Sequence, residues 1–214
     1  MSIGTVLIAS LISAGITLAL CIYAMPICRW LDILDIPDTR KRHAHPTPLM
    51  GGVTLQGAVA PVILAIAIFG VSADWARHLI VWSAALVTMT LVGLADDRHT
   101  LSARDRLLVS FLVFGSAAII DPLFNVRMLG FEHPEFEFGL GTGWLAVVFT
   151  TVCCVGLVNA VNMADGKNGL VIGLCLGWLA LLASRAPAPM IPALAALAGS
   201  LTVLLLFNLR GRLF

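Results

Sequence analysis

The sequence predicts an all-α membrane protein, a polytopic bundle of about seven transmembrane helices that forms one domain over residues 1–214. Composition is the first indication, because 59% of the residues are hydrophobic and only 12% are charged, whereas soluble domains carry about 25% charged residues. Length is the second indication, since the chain has room for about six to eight apolar spans of about 20 residues each. The net charge of +1 gives no field that would attract nucleic acid. An ordinary water-soluble globule is therefore excluded.

Seven apolar runs between charged residues, prolines and glycines are the predicted helices. They cover residues 3–27, 51–71, 79–95, 107–120, 144–161, 170–183 and 191–207. The fourth and sixth are short for a full crossing. The first lacks the basic segment of a secretory signal, so we expect it to stay as an uncleaved span. After the fourth helix, Glu132, Glu135 and Glu137 alternate with Phe136 and Phe138, which predicts a short β-hairpin.

The basic residues predict the orientation of the bundle. With seven spans, the loops 28–50, 96–106, 162–169 and 208–214 share one side and hold all but three of the 13 Lys and Arg residues. Cytoplasmic loops of membrane proteins are enriched in these residues. We therefore expect the N-terminus outside and the C-terminus in the cytoplasm.

The first predicted cytoplasmic segment, residues 32–53, contains the basic run RKRHAH, in which Lys41 and His43 lie. Topogenic charge and contact with anionic lipid headgroups would explain a basic run alone. The two prolines and two glycines that follow stiffen the chain and allow close backbone approach, which a topology signal does not need. The segment is a candidate binding site for a phosphate or diphosphate at the membrane face.

The second segment places Asp96 and Asp97 directly after an apolar helix. Negative charge at a helix C-terminus opposes the helix dipole, so the pair is locally unfavourable. Adjacent carboxylates at a membrane face suit a divalent cation, or a division between metal binding and general-base work. Solvated loop acids are the alternative. By contrast, Ser102 and Asp105 precede an apolar run with the spacing of a capping box, which predicts a structural role.

The third segment carries a polar residue at every third position: Asn159, Asn162, Asp165 and Asn168. On a helix this spacing drifts slowly round one side and makes a polar stripe in an apolar setting. Hydrogen bonding between helices is the alternative, and it would explain one amide more readily than a whole stripe. Gly166 and Gly169 after it are expected to leave backbone amides open to an anionic or flat ligand. The stripe is the most specific signal in the chain.

Together the three segments supply cations, paired carboxylates and amides at one predicted membrane face. That set fits phosphoryl transfer assisted by Mg²⁺, in which the metal and basic groups neutralise a diphosphate while a carboxylate acts on the attacking phosphate. Acceptors held at such a face are lipid phosphates. The pattern G-x-x-x-x-G-K-[ST] does not occur, so ATP handling of that kind is not supported.

The segments DIPDTRKRHAHPTPLMGG, GLADDRHTLSAR and NAVNMADGKNGL, in this order and spacing, resemble the polyprenyl-phosphate N-acetylhexosamine-1-phosphate transferases of glycosyltransferase family 4. The resemblance is to the undecaprenyl-phosphate GlcNAc-1-phosphate transferase branch. It implies transfer of a sugar-1-phosphate, with GlcNAc-1-phosphate expected, from a UDP-N-acetylhexosamine to undecaprenyl phosphate. The implied products are undecaprenyl-diphospho-sugar and UMP, and the implied pathway is the start of cell-envelope glycan synthesis.

The resemblance also implies a site at the cytoplasmic face of the bacterial inner membrane, in contact with membrane lipids. Mg²⁺ is the implied metal, with Mn²⁺ as the alternative. The residues implied as catalytic and as metal ligands are Asp96, Asp97 and Asp165. Those implied in substrate binding are Lys41, His43, Asn159, Asn162, Gly166 and Asn168.

Two features depart from the family pattern. Asn168 stands where the commoner pattern has a second Asp, which removes one negative charge. The later aspartate motif and basic His-containing loop of the family do not occur in these 214 residues. The chain therefore resembles an N-terminal fragment, and we expect it to have little or no transferase activity alone.

Other readings stay open at this stage. A transporter with an interrupted polar helix would also place amides and acids in a span, near the midplane, and a catalytically incomplete membrane fragment is a third reading. A CDP-alcohol phosphotransferase is disfavoured, because its D-G-x-x-A-R pattern fails after Asp165. The sugar, the glycan pathway and the oligomeric state are undetermined, a homodimer being one option.

Overall fold

The structure, a computed structural model, describes residues 2–31, 33–35, 47–130, 137–141 and 143–211. Those residues form eight α-helices, two single 3₁₀ turns and two antiparallel two-stranded ladders. The helices are α1 (Ile3–Ile22), α2 (Ala24–Leu31), α3 (Gly51–Phe69), α4 (Ala73–His99), α5 (Ala103–Ile120), α6 (Trp144–Ala164), α7 (Leu170–Ala183) and α8 (Ile191–Leu209). The strands are β1 (Leu34–Asp35), β2 (Thr47–Pro48), β3 (Met128–Gly130) and β4 (Glu137–Gly139).

The all-α class is confirmed, and every predicted apolar run contains a helix. Five helices in the described part of the chain are long and apolar enough to cross a bilayer, namely α1, α3, α4, α6 and α8 with the turn before it. The chain is therefore a multi-pass membrane protein. The two runs predicted to be short, α5 and α7, are not among the five, so the count of seven spans is not confirmed. The orientation of the bundle stays a prediction.

The first helix departs from its predicted extent of residues 3–27. It ends at Ile22, and a separate helix α2 begins at Ala24 after a turn at Tyr23. Pro26 explains the break, because it has no N–H to donate to the carbonyl of Ile22, four residues earlier, and its ring crowds that carbonyl. The prediction of one continuous helix over residues 3–27 is therefore wrong.

The capping box at Ser102 and the hairpin predicted after the fourth helical run are confirmed. The Ser102 hydroxyl accepts from the backbone N–H of Asp105 at 3.1 Å and donates to its carboxylate at 2.7 Å, which fixes the start of α5. Strands β3 and β4 pair antiparallel, with Leu129 opposite Phe138. Residues 131–136, which include most of the alternating Glu and Phe residues, lie outside the described residues.

The chain divides into two compact units, one formed by Met1–Thr100 with Ala164–Phe214 and the other by Leu101–Met163. In the second unit, α5 and α6 approach each other where the Cα of Gly115 faces Thr151. The Thr150 hydroxyl accepts from the N–H of Val126 at 2.8 Å and ties the hairpin region to α6. The prediction of a single domain stays a prediction.

Helices α1 and α8 of the first unit pack closely against each other. Thr17 and Ser200 are fully buried, and their hydroxyls are 2.6 Å apart. A Cβ added to Gly199 would overlap the carbonyl oxygen of Ser10, so only glycine fits there. Small residues that bring backbones together are typical of helix pairs in membranes.

One buried cluster defines the end of the first unit where α1 and α8 begin. It contains Ala9 of α1, Ile66 of α3, Leu79 of α4 and Ala196 of α8. The late part of α3 thus meets the early parts of the other three helices. Helices α1, α4 and α8 therefore run in one direction and α3 runs in the other.

Candidate functional site

A second buried cluster, here called the motif-end cluster, lies at the opposite end of the first unit. It includes Ile33, Met50, Ile172 and Leu204 as buried members, and Leu94 packs against it. Ile33 and Met50 flank the first motif, Leu94 lies two residues before Asp96, and Ile172 lies in the first turn of α7. The first and second motifs and the 165–169 loop therefore meet the bundle at one end of this unit.

The two sides of the first motif are held together. Strands β1 and β2 pair antiparallel, and the N–H of Leu49 donates to the carbonyl of Ile33 at 3.2 Å. Lys41 and His43 lie outside the described residues, so their predicted role in binding phosphate stays a prediction. At Gly52 an added Cβ would lie 3.5 Å from Thr90, an ordinary contact, so packing against α4 does not demand a glycine there.

The paired acids lie in the last turn of α4, which ends with Thr100 in the left-handed conformation (φ 47°). Asp96 is half-buried and Asp97 is exposed. Because consecutive helical residues are turned by about 100°, their side chains leave the helix in different directions. The negative charge of the two acids interacts unfavourably with the helix dipole. Arg98 and His99 in the same turn offset this unfavourable interaction in part. One carboxylate therefore faces partly into the protein and the other faces outward.

The predicted stripe is divided between a helix and a loop, which corrects the interpretation of one polar helical face. Asn159 and Asn162 lie on α6 in the second unit, whereas Asp165 and Asn168 follow its end at Ala164 and belong to the first unit. The amide of Asn159 donates to the carbonyl of residue 155 in its own helix at 2.8 Å. The helix ends earlier than the spacing implied because Gly166, two residues after Ala164, is unfavourable in a helix interior.

The 165–169 loop is fixed at its end and open along its length. Gly169 has φ +81°, caps the start of α7, and donates its N–H to the side-chain oxygen of Asn208 at 2.5 Å. Asp165, Gly166 and Asn168 are exposed, and a Cβ added to Gly166 would have no neighbour within 4 Å. The space beside Gly166 is therefore accessible to a ligand. The prediction of open backbone amides at the two glycines is wrong, however, because the N–H of Gly166 donates to the carbonyl of Ala164 and that of Gly169 donates to Asn208.

Sequence reasoning missed Asn208, which is only 5% exposed. The residue stands between Phe207 and Leu209 at the end of an apolar helix. A lone amide in such a helix is costly to bury without a partner. That position was the signal that could have found it.

The donors of the site fit a hard cation only in part. Among the described residues, no three His, Cys, Asp or Glu side chains are placed to share one metal ion. Asp96, Asp97 and Asp165 therefore do not form a closed three-carboxylate site. Mg²⁺ is commonly bound by one or two carboxylates together with waters and substrate phosphates. The residues present fit a magnesium ion that arrives with a diphosphate.

The fold and the placement of the motifs define a class: a multi-pass helical membrane protein with acidic and amide groups at one end of a helical unit. The sequence profile of glycosyl transferase family 4 matches residues 79–214, and the chain belongs to that family. The resemblance inferred from the motifs is confirmed.

Curated relatives agree with this assignment. The chain is 31% identical over 156 residues to a probable undecaprenyl-phosphate N-acetylglucosaminyl 1-phosphate transferase of Bacillus subtilis (strain 168). The aligned region covers 73% of this chain and 41% of that protein. It is 26% identical over 161 residues to the undecaprenyl-phosphate alpha-N-acetylglucosaminyl 1-phosphate transferase of Escherichia coli (strain K12), with coverage of 74% and 41%. The corresponding enzyme of Thermotoga maritima is 31% identical over 171 residues, with coverage of 78% and 47%. The chain thus spans less than half the length of each of these relatives.

Proposed function

We propose that this chain carries part of the site at which a sugar-1-phosphate, most simply GlcNAc-1-phosphate, passes from a UDP-sugar to undecaprenyl phosphate. The observation that supports the proposal best is the motif-end cluster, which joins the described residues that flank the first motif to the ends of α4 and α7 beside the paired acids and the 165–169 loop. Membership of glycosyl transferase family 4 and the names of the curated relatives point to the same donor group and acceptor.

The reaction is a displacement at phosphorus. An oxygen of the lipid phosphate attacks the phosphorus that carries the sugar and forms a new P–O bond, while the bond from that phosphorus to the bridging oxygen of the diphosphate breaks. UMP leaves with the bonding electrons, and undecaprenyl-diphospho-sugar remains. Such reactions depend mainly on positioning and on neutralising charge.

We assign the roles by exposure and charge. Asp97, exposed at the end of α4, accepts a proton from the lipid phosphate or orients it, and Asp165 and Gly166 lie beside the diphosphate. Lys41 and His43 neutralise the phosphates. Mg²⁺, when bound, stabilises negative charge on the transferring phosphate. Asn159, Asn162 and Asn168 are proposed to bind the nucleotide-sugar.

A site at a membrane face suits both substrates, because the acceptor is a lipid and the donor is a polar nucleotide. The excess of basic residues on the same side as the motifs supports the cytoplasmic face of the inner membrane. The position of the acids also favours transfer over transport. Asp96 lies in the last turn of its helix and Asp165 lies beyond the end of α6, whereas transport sites gather near the midplane.

The test compares Asp97 with Asp105, which lies eight positions later in the chain. Membranes that contain the protein are incubated with undecaprenyl phosphate and a panel of radiolabelled UDP-sugars, and the labelled lipid is counted. The assay is run on the 214-residue chain and on the complete reading frame of its gene. We expect Asp97→Asn to lower transfer by about 100-fold or more, the usual effect of losing an acid–base group.

The matched control is Asp105→Asn, which keeps a side-chain oxygen for the Ser102 hydroxyl and is expected to leave transfer unchanged. Wild-type turnover by Asp97→Asn would remove the role assigned to the paired acids. If the complete protein transferred no UDP-sugar, the proposed function would be wrong. Robust turnover by the 214-residue chain would contradict only the expectation that it is inactive alone.

A further inference from the structure

Asn208 joins two segments that the sequence separates by 39 residues. Its side chain is 5% exposed, and its oxygen accepts the N–H of Gly169 at 2.5 Å. A buried amide costs free energy unless it is hydrogen-bonded. This hydrogen bond joins the side chain to the backbone of the 165–169 loop, so it fixes that loop to the end of α8.

The backbone on both sides of this bond is shaped to allow it. Gly169 has φ +81°, and an added Cβ would lie 2.6 Å from the side chain of Leu209. At the far side of Asn208, Gly211 has φ +62°, and its N–H donates to the Asn208 carbonyl at 2.9 Å. The left-handed region favours glycine at both positions. Two glycine turns therefore bring the loop and the end of α8 together around Asn208.

The loop has short-range hydrogen bonds of its own, which the Asn208 bond supplements. The N–H of Gly166 donates to the carbonyl of Ala164 at 2.8 Å, and the N–H of Leu170 donates to the carbonyl of Lys167 at 3.1 Å. These bonds shape the loop locally but do not fix it relative to another helix. The Asn208 bond does so, while the side chains of the loop stay exposed.

We propose that Asn208 is a positioning residue, which holds the 165–169 loop against α8 so that Asp165 and Gly166 lie beside the diphosphate. The proposal rests on the function proposed above and adds a residue that acts through the loop backbone rather than by touching substrate. Small displacements of a positioning element can cost about 100-fold in rate. A buried amide far along the chain thus becomes part of the machinery of transfer.

The first measurement is hydrogen–deuterium exchange at the Gly169 amide in the purified chain, which needs no activity. Asn208→Leu removes the acceptor with little change in volume, and we expect the amide to exchange about fivefold faster or more. Asn208→Asp keeps an oxygen acceptor and is expected to retain protection. The control is Ser200→Ala, which removes a buried hydrogen bond of the same helix to Thr17 and should leave exchange at Gly169 unchanged. An unchanged exchange rate of the Gly169 amide in Asn208→Leu would contradict the proposal that Asn208 anchors the loop.

The second measurement is steady-state transfer by the protein from the complete reading frame. Asn208→Leu should lower kcat by about tenfold or more per folded molecule, with substantial recovery in Asn208→Asp, whereas Ser200→Ala should lower thermal stability without lowering kcat. Faster exchange combined with wild-type kcat and KM would overturn the positioning role and leave the proposed function intact. A wild-type protein that transfers no sugar would overturn the proposed function, and the exchange result would still decide whether Asn208 anchors the loop.

Discussion

Replacing Gly169 by alanine perturbs the loop anchor in a way whose size can be worked out from the structure. Gly169 has φ +81°, and a residue with a Cβ pays about 1–2 kcal/mol to adopt the left-handed region. The added Cβ would also lie 2.6 Å from Cδ2 of Leu209. Leu209 is 58% exposed, so the tip of its side chain can move away and the steric part is small. We expect a loss of about 1–2 kcal/mol, a factor of about 5 to 30 in the unfolding equilibrium constant.

The assay is unfolding in detergent micelles by titration with sodium dodecyl sulfate, followed by far-ultraviolet circular dichroism. The matched control is Gly166→Ala, three residues earlier, where an added Cβ meets nothing within 4 Å and φ is not positive. A glycine-to-alanine change at such a position is neutral or slightly stabilising. Equal free energies of unfolding for the two variants would refute the reasoning about Gly169.

Two further predictions concern the first unit. Thr17→Ala and Ser200→Ala should each lower the free energy of unfolding by about 1 kcal/mol. Because the two buried hydroxyls bond each other at 2.6 Å, the double variant should lose less than the sum of the two single losses. Strict additivity in the double-mutant cycle would contradict a direct bond. Burial raises the pKa of the Cys28 thiol to about 11 from 9.0, against a lowering by the hydrogen bond from Leu49. Because the folded pKa is raised, the contribution of the protonated thiol to stability is present below pH 9 and declines as the pH rises through 11. Urea unfolding across this range should therefore show a fall in stability that is flatter in Cys28→Ser, and identical profiles would contradict the shift.

Local sequence signals predicted most of the helices well. The runs that begin at residues 3, 51, 144, 170 and 191 begin at the same residues in the structure, because Ser2 caps the first of these helices and glycine or proline marks the start of the other four. The break at Tyr23 was missed because the apolar run continues past it. Proline at position 26 cannot donate a backbone hydrogen bond to the carbonyl of Ile22. The break follows only when the backbone hydrogen bonds of the helix are considered one by one.

The site was predicted less completely than the fold. The paired acids and the glycine-containing loop stand out because charge and glycine are unusual beside apolar helices. A three-residue spacing alone did not show that α6 ends at Ala164 and leaves Asp165 in a loop. Asn208 was missed because its partner, the Gly169 N–H, is 39 residues away, and such a pairing depends on how α7 and α8 pack.

The most direct test of the account is to determine which membrane face each motif occupies. In a chain whose five cysteines are replaced, single substitutions Arg98→Cys and Lys167→Cys report the second and third motifs, and Arg77→Cys reports the opposite end of α4. Sealed vesicles of both orientations are treated with a membrane-impermeant maleimide. We predict labelling of Arg98→Cys and Lys167→Cys from the cytoplasmic side and of Arg77→Cys from the other side. Labelling of the first two from opposite sides would contradict a shared site.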